Sequence, residues 1–261
     1  MAMADRSSFR RTLAALILLA VAVGILASLG CWQLRRADER QAIHQAIESG
    51  RAMPPVELVA DTPVEVMQPW RAARAQGVWR NDLTVLLDNR NLDGRPGLWV
   101  ATPLQREGAD AVLVLRGWLP RPLGQAELAV PDGAAGAQQI VGELASRVPR
   151  LFELPTFGKG SAAALPAQWP SQQVPIPRVQ NLDLAEFAKA TGLALMPMVL
   201  MQTEPSAGDD DGLVRVWPQP SVDADQNIGY ALQWFGFAAI AAIAWLVVAV
   251  RAWRRRRGDN D

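Results

Sequence analysis

Cysteine occurs once in this chain of 261 residues, at Cys31, which excludes a disulfide framework and a multi-cysteine zinc site. Histidine also occurs once, at His44, which excludes zinc-peptidase and His-cluster chemistry. There is no excess of charge of either sign, with 26 Lys+Arg against 26 Asp+Glu, and this excludes a generally basic nucleic-acid binder. Half of the residues are apolar, which excludes a charge-rich disordered chain. Lysine is confined to Lys159 and Lys189, so almost every cation is an arginine. That bias, with the excess of alanine, reads as genome composition.

What is present is apolar length at both ends. Residues 12–34 and 226–250 carry no charged side chain. A helix rises about 1.5 Å per residue, so either run can cross a hydrocarbon core of about 30 Å. Both are apolar all round, as a lipid-embedded helix must be where no water meets backbone groups. Arg251 and Arg254 to Arg257 follow the second run, and Asp209, Asp210, Asp211, Asp223 and Asp225 precede it. The positive-inside rule therefore places the C-terminus in the cytoplasm. Two spans return the chain to its starting side, so both tails are cytoplasmic and the middle lies outside. Outside the two tails the chain holds 18 basic and 23 acidic residues, which suits a translocated segment. The first run is long for a signal peptide and no Ala-x-Ala stands at its end, so a retained helix is expected. Ser28-Leu29-Gly30-Cys31 lacks the Leu that a lipoprotein cleavage site prefers three residues before its Cys.

The expected organisation is a cytoplasmic tail (1–11), a first transmembrane helix (12–34), a juxtamembrane helix (35–50) ending at Gly50, a periplasmic β-rich domain (51–225), a second transmembrane helix (226–250) and a basic cytoplasmic tail (251–261). In the middle domain, residues 51–69 hold four prolines and read as a connector. Strand-like runs follow at 73–79, 84–88, 98–104, 111–118 and 140–146, separated by turn residues such as 91–97. They predict an antiparallel meander or partly closed barrel. Residues 149–177 read as a long irregular loop. Residues 181–192 predict a short helix, capped by Asn181 or Asp183 and ended by Gly192. A strand at 194–202, a polar loop at 204–212 and a further strand at 213–217 complete the domain. The fold class is thus a membrane protein in which two transmembrane α-helices flank a β-rich α+β domain.

No catalytic constellation emerges. A Ser-His-Asp arrangement needs His44, which sits on the juxtamembrane helix remote from any serine in a sharp turn. Gly208-Asp209-Asp210-Asp211-Gly212 lacks the spacing and final Glu of a calcium loop and reads as a mobile acidic loop. Residues 91–97 lack a phosphate-loop pattern. The chain is therefore expected not to be an enzyme. The span ends carry more. Asn227, Tyr230 and Trp234 fall at i, i+3 and i+7, so one helix face is expected to hold all three. That face serves either as an aromatic belt at the headgroups or as a surface for a planar ligand or partner helix. Gln33 and Gln233 are placed to bond across the helix pair.

Several short segments, in order, resemble the surfeit-locus family of cytochrome c oxidase assembly factors. They are Leu29-Gly30-x-Trp32-Gln33-Leu34-x-Arg36, Leu87-Asp88-Asn89-Arg90 with Asp93-Gly94-Arg95-Pro96-Gly97, Thr102-Pro103-Leu104, Val112-Leu113-Val114 leading into Arg116-Gly117-Trp118-Leu119-Pro120, and Gly229-Tyr230-Ala231-Leu232-Gln233-Trp234-Phe235. The resemblance implies an inner-membrane, non-enzymatic role in maturing haem-copper oxidases. It implies haem a as the group handled, and oxidase subunit I and other oxidase assembly factors as partners beside the lipid bilayer. It further implies a haem-ligating His three residues before the Tyr matched by Tyr230; this chain has Asn227 there, and an amide is not a normal axial ligand. Cys31, near the same depth, offers a thiolate, although a small buried Cys is the commoner role. Asn227, Tyr230, Trp234 and Cys31 are thus the candidate haem-face residues, and no metal-ion site is expected. A two-span envelope scaffold without haem is the alternative. The Arg-Gly-Trp-Leu-Pro run also reads simply as a strand ending in a turn.

Overall fold

The structure is a computed structural model that describes residues 2–108, 110–122, 128–152, 165–166, 169–170, 176–206 and 211–258, with side chains for all of these except 2–8, 256 and 258. Residues 1–45 with 220–261 form one compact unit, and residues 46–219 form another.

In the first unit, helix α1 (Ala2–Ala52) enters from the N-terminus, and helix α3 (Asp225–Gly258) closes the chain. Both contain a stretch long and apolar enough to span a bilayer. The first span and the expected juxtamembrane helix are one uninterrupted rod, and Gly50 does not end it. The stop is Pro54-Pro55, because a residue before proline is driven out of helical geometry. Gly50 serves a different purpose: a Cβ there would lie 2.4 Å from the Pro69 carbonyl oxygen.

The second unit is a β-barrel. Strand β1 (Val56–Leu58) lies in the stretch that reads as a connector, too short to show a period. It is followed by β2 (Ala72–Trp79), β3 (Val85–Leu87), β4 (Gly97–Gln105), β5 (Ala111–Pro120), β6 (Ala137–Ala145), β7 (Arg178–Val179), helix α2 (Leu184–Thr191) and β8 (Leu195–Gln202). The strands run β2-β6-β8-β5-β4, and β4 pairs back onto β2 through Val78↔Gln105 and Trp79↔Leu104, so the ring is closed. The β5–β8 pair is parallel and the other four pairs of the ring are antiparallel. β1 adds beside β2, and β3 with β7 extends from β4.

Side-chain alternation divides the apolar residues between two layers. One cluster draws on all five ring strands, through Ala73, Ala75, Trp79, Leu104, Val112, Val114, Ile140, Leu144, Met198 and Leu200, and is therefore the barrel interior. The alternate residues Leu113 and Leu115 of β5 face an outer cluster with Trp99, Phe187, Val199 and Trp217. This explains why β4 and β5 are buried on both faces. Helix α2 covers the outer layer. Asp183 caps its start by accepting from the Ala185 and Glu186 amides, and Gly192 ends it at a positive φ of 70°. Asp183, not Asn181, is the cap; the Asn181 amide instead pairs with both backbone groups of Leu151.

Two further readings need correction. Residues 213–217 make only an isolated bridge, Val214↔Trp118, because one residue alone reaches the β5 edge. Much of the 149–177 loop, and Gly208, Asp209 and Asp210, lie outside the described residues. Asp211, however, is not part of a solvated acidic loop: it is buried between two arginines.

Phe187 is fully enclosed by the outer layer. Phe187→Ala is expected to lower stability by about 3–5 kcal/mol, checked by chemical unfolding of the purified chain; a loss below about 1 kcal/mol would contradict the assigned packing.

Candidate functional site

The first group of site residues sits where α1 and α3 pair. The pairing is antiparallel, since Gly30, Gln33 and Arg40 of α1 meet Phe235, Asn227 and Asp223 respectively. The shielded positions recur in heptads: Leu19, Val23, Leu26, Gly30, Gln33 and Ala37 on α1, with Asn227, Ala231, Trp234, Ala238, Ala241 and Trp245 on α3. That period of 3.5 is the left-handed coiled-coil seam. Small residues along it permit close approach; at Gly30 a Cβ would fall 2.7 Å from the Phe235 ring.

Asn227 Nδ2 donates to Gln33 Oε1 at 2.7 Å. The expected cross-helix glutamine bond is therefore made by Gln33 with Asn227, while Gln233 is exposed. Asn227 Oδ1 is buried without a hydrogen-bond partner among the described residues. Trp234 stays near the seam, in an edge-to-face contact with Phe237 at 6.1 Å. Tyr230 leaves that face and is 47% exposed. The reason is angular: a step of seven residues returns within about 20° of Asn227, but a step of three falls about 60° short. Cys31 is exposed rather than buried, one residue past Gly30 and so about 100° off the seam.

These residues do not fit an axial-ligand site for haem iron. The Asn227 carboxamide is a weak ligand for iron, and its Nδ2 is bonded to Gln33. Tyr230 and Cys31 are exposed, and the structure does not bring them onto Asn227. What the arrangement does is hold two helices together through one polar bond in an apolar seam. Among the described residues no group of three or more His, Cys, Asp or Glu side chains could hold a metal ion.

The second group, in the barrel unit, gathers the 87–97 and 116–121 segments. Trp118 Nε1 donates to the Arg90 carbonyl at 2.6 Å, and Arg90 N–H donates to the Gly97 carbonyl at 3.0 Å. Arg121 pairs with Asp88. A Cβ on Gly97 would lie 2.3 Å from the Trp118 indole, so the motif glycine admits the motif tryptophan. The strand does end at Pro120, as the simple reading of that run expects. Arg90 is buried, 4.4 Å above the Trp99 ring, and donates to the Gln180 carbonyl at 2.9 Å. Burial pushes its pKa down to about 10, which leaves it cationic at neutral pH.

Arg116, which the sequence presents only as the first residue of the Arg-Gly-Trp-Leu-Pro run, is fully buried. It has the same parity as Val112 and Val114, so it faces the barrel interior and lies 5.2 Å from the Trp79 ring centre. It donates to the Pro131 carbonyl at 2.6 Å and the Asp132 carbonyl at 3.2 Å, and pairs with Asp211 at 3.2 Å. Asp211 also pairs with Arg215 at 2.7 Å. The available signal is a lone cation directly after the apolar run Val112-Leu113-Val114-Leu115, within one strand, which requires a buried partner.

A model of the SURF1 family matches residues 20–239, which takes in both span ends and the whole barrel. The chain belongs to the SURF1 family. It is similar to an uncharacterized SURF1-like protein of Mycobacterium bovis, 24% identical over 253 residues, covering 94% of this chain and 87% of the relative. An uncharacterized SURF1-like protein of Mycobacterium tuberculosis matches to the same extent. A SURF1-like protein of Rickettsia bellii is 23% identical over 239 residues, covering 88% of this chain and 87% of that one. The SURF1 family is one of cytochrome oxidase assembly factors. The two apolar helices of this family member mark it as a membrane protein.

Two outcomes follow. A double-mutant cycle on Gln33→Ala and Asn227→Ala is expected to give a coupling of about 0.5–1.5 kcal/mol, read from unfolding in detergent. Additive losses would remove the helix lock. Asp211→Ala is expected to cost about 3–5 kcal/mol, because two buried cations lose their counter-charge. The check is thermal unfolding followed by the near-ultraviolet circular dichroism of the barrel tryptophans.

Proposed function

We propose that this SURF1 family member is a non-enzymatic inner-membrane assembly factor for haem-copper cytochrome c oxidase, acting on subunit I during its maturation together with other oxidase assembly factors. The observation that carries the reading is the match through residues 20–239, since it includes part of each long helix and the whole barrel rather than one isolated motif. The arginine cluster after α3 supports cytoplasmic termini, and with them a periplasmic barrel.

The role is holding and docking, with no axial ligation of haem by Asn227. A carboxamide bonded to Gln33 stabilises a helix pair but offers iron little. Haem a handled during maturation is then held by the oxidase subunit or by another factor. The supporting chemistry in this chain is a preformed helix pair and a rigid barrel braced by Arg116 and Asp211.

Deletion of the gene tests the reading. Membranes of the deletion strain are expected to lose most of their haem a absorbance, and expression of the intact chain to restore it. Asn227→Ala is expected to restore oxidase close to the wild-type level. Unchanged levels of every haem-copper oxidase after deletion would favour a two-span scaffold unrelated to oxidase. A stoichiometric haem spectrum lost on Asn227→Ala would overturn the docking reading.

A further inference from the structure

At the end of the helix pair opposite Gln33 and Asn227, the chain gathers arginines. Arg10 is 23 residues from Gln33 on α1, and Arg251 is 24 residues from Asn227 on the antiparallel α3. At about 1.5 Å per residue, both lie roughly 35 Å along the pair from that hydrogen bond. This is just beyond a hydrocarbon core of about 30 Å, at headgroup depth. Arg10, Arg11, Arg251, Arg254, Arg255 and Arg257 are all exposed, and no carboxylate among the described residues pairs with them.

α3 continues to Gly258, so the arginines are held in fixed register. Arg251, Arg254 and Arg255 are spaced i, i+3 and i+4 and fall within about 100° of one another on the helix. Like charges at that spacing repel. The Arg257 guanidinium stacks on the Trp253 ring at 4.0 Å, and that ring is itself half-exposed. An indole at the headgroup level thus carries a cation above it.

We propose that the C-terminal end of α3, with Arg10 and Arg11 of α1 beside it, is a binding site for the phosphate of an anionic phospholipid headgroup. The phosphodiester supplies counter-charge to cations that outnumber the tail carboxylates, and guanidinium forks match phosphate oxygens two at a time. The acyl chains lie along the apolar helices, which a free anion cannot use.

Native mass spectrometry of the full chain in a neutral detergent tests this, with dioleoyl-phosphatidylglycerol and dioleoyl-phosphatidylcholine offered in equal amounts. The expected result is selective retention of phosphatidylglycerol, weakening as ionic strength rises. At matched ionic strength, retention should survive excess inorganic phosphate. Combined Arg254→Gln, Arg255→Gln and Arg257→Gln should weaken it roughly hundredfold, at about a factor of five per charge. Equal retention of both lipids, a salt-independent preference, displacement by phosphate, or full retention by the triple variant would each overturn the site. The wild-type arms stand even if the triple variant does not fold.

Discussion

The pairing of Val78 and Trp79 with Gln105 and Leu104 is the contact on which the barrel unit depends. It brings the two ends of a five-strand sheet together. The open edges are removed, and one face of every strand becomes an interior. Small residues on β2, Ala73 and Ala75, allow the ring to be narrow, while Val112, Val114 and Leu200 fill it. Because the ring is closed, a side chain of interior parity has nowhere to escape. Arg116 is such a residue, and the fold supplies Trp79, two carbonyl oxygens and Asp211 to receive it. The pairing brings in segments distant in sequence, since Asp211 and Arg215 belong to the chain after the last strand. Removing the aspartate would leave two cations in low dielectric, which is why the triad acts as a brace.

The helix unit obeys the same rule in a different medium. In hydrocarbon the helices meet their own backbone groups, so only side chains can add polar bonds between them. The Gln33–Asn227 bond is one, set in a heptad seam of small and aliphatic residues. A polar pair at one layer fixes register, since sliding by a turn would leave both amides unpaired. This bond gives Asn227 a cross-helix partner at the position where the resemblance implies a ligand. The basic end some 35 Å away, by helix rise, is governed instead by long-range charge.

Much of the plan was legible in the chain itself. Two charge-free runs of sufficient length announced the spans, because bilayer thickness translates directly into residue count. Alternation in residues 73–79 announced β2, and Asp183 with Gly192 bounded α2, because caps are local chemistry. Shorter elements were illegible: β1 and β7 have three and two residues, too few for repeated alternation, and lack the continuous apolar run that marks the equally short β3. The strand expected at 213–217 failed for the converse reason, as its apolar residues are anchored by Trp217 in the outer layer rather than by a ladder. Gly50 misled because a glycine late in a helix signals a stop, whereas here it admits the Pro69 carbonyl.

By itself the sequence determined the two spans, the β character of the middle and the family motifs, since length, period and local capping are properties of neighbouring residues. Only the tertiary structure decided that β4 closes on β2, that Asp211 lies buried beside Arg116, and that Asn227 spends its amide on Gln33. Each of these joins residues far apart in the chain. Their partners are chosen by the cost of leaving a strand edge or a polar group without one, a cost that exists only once the chain has folded around them.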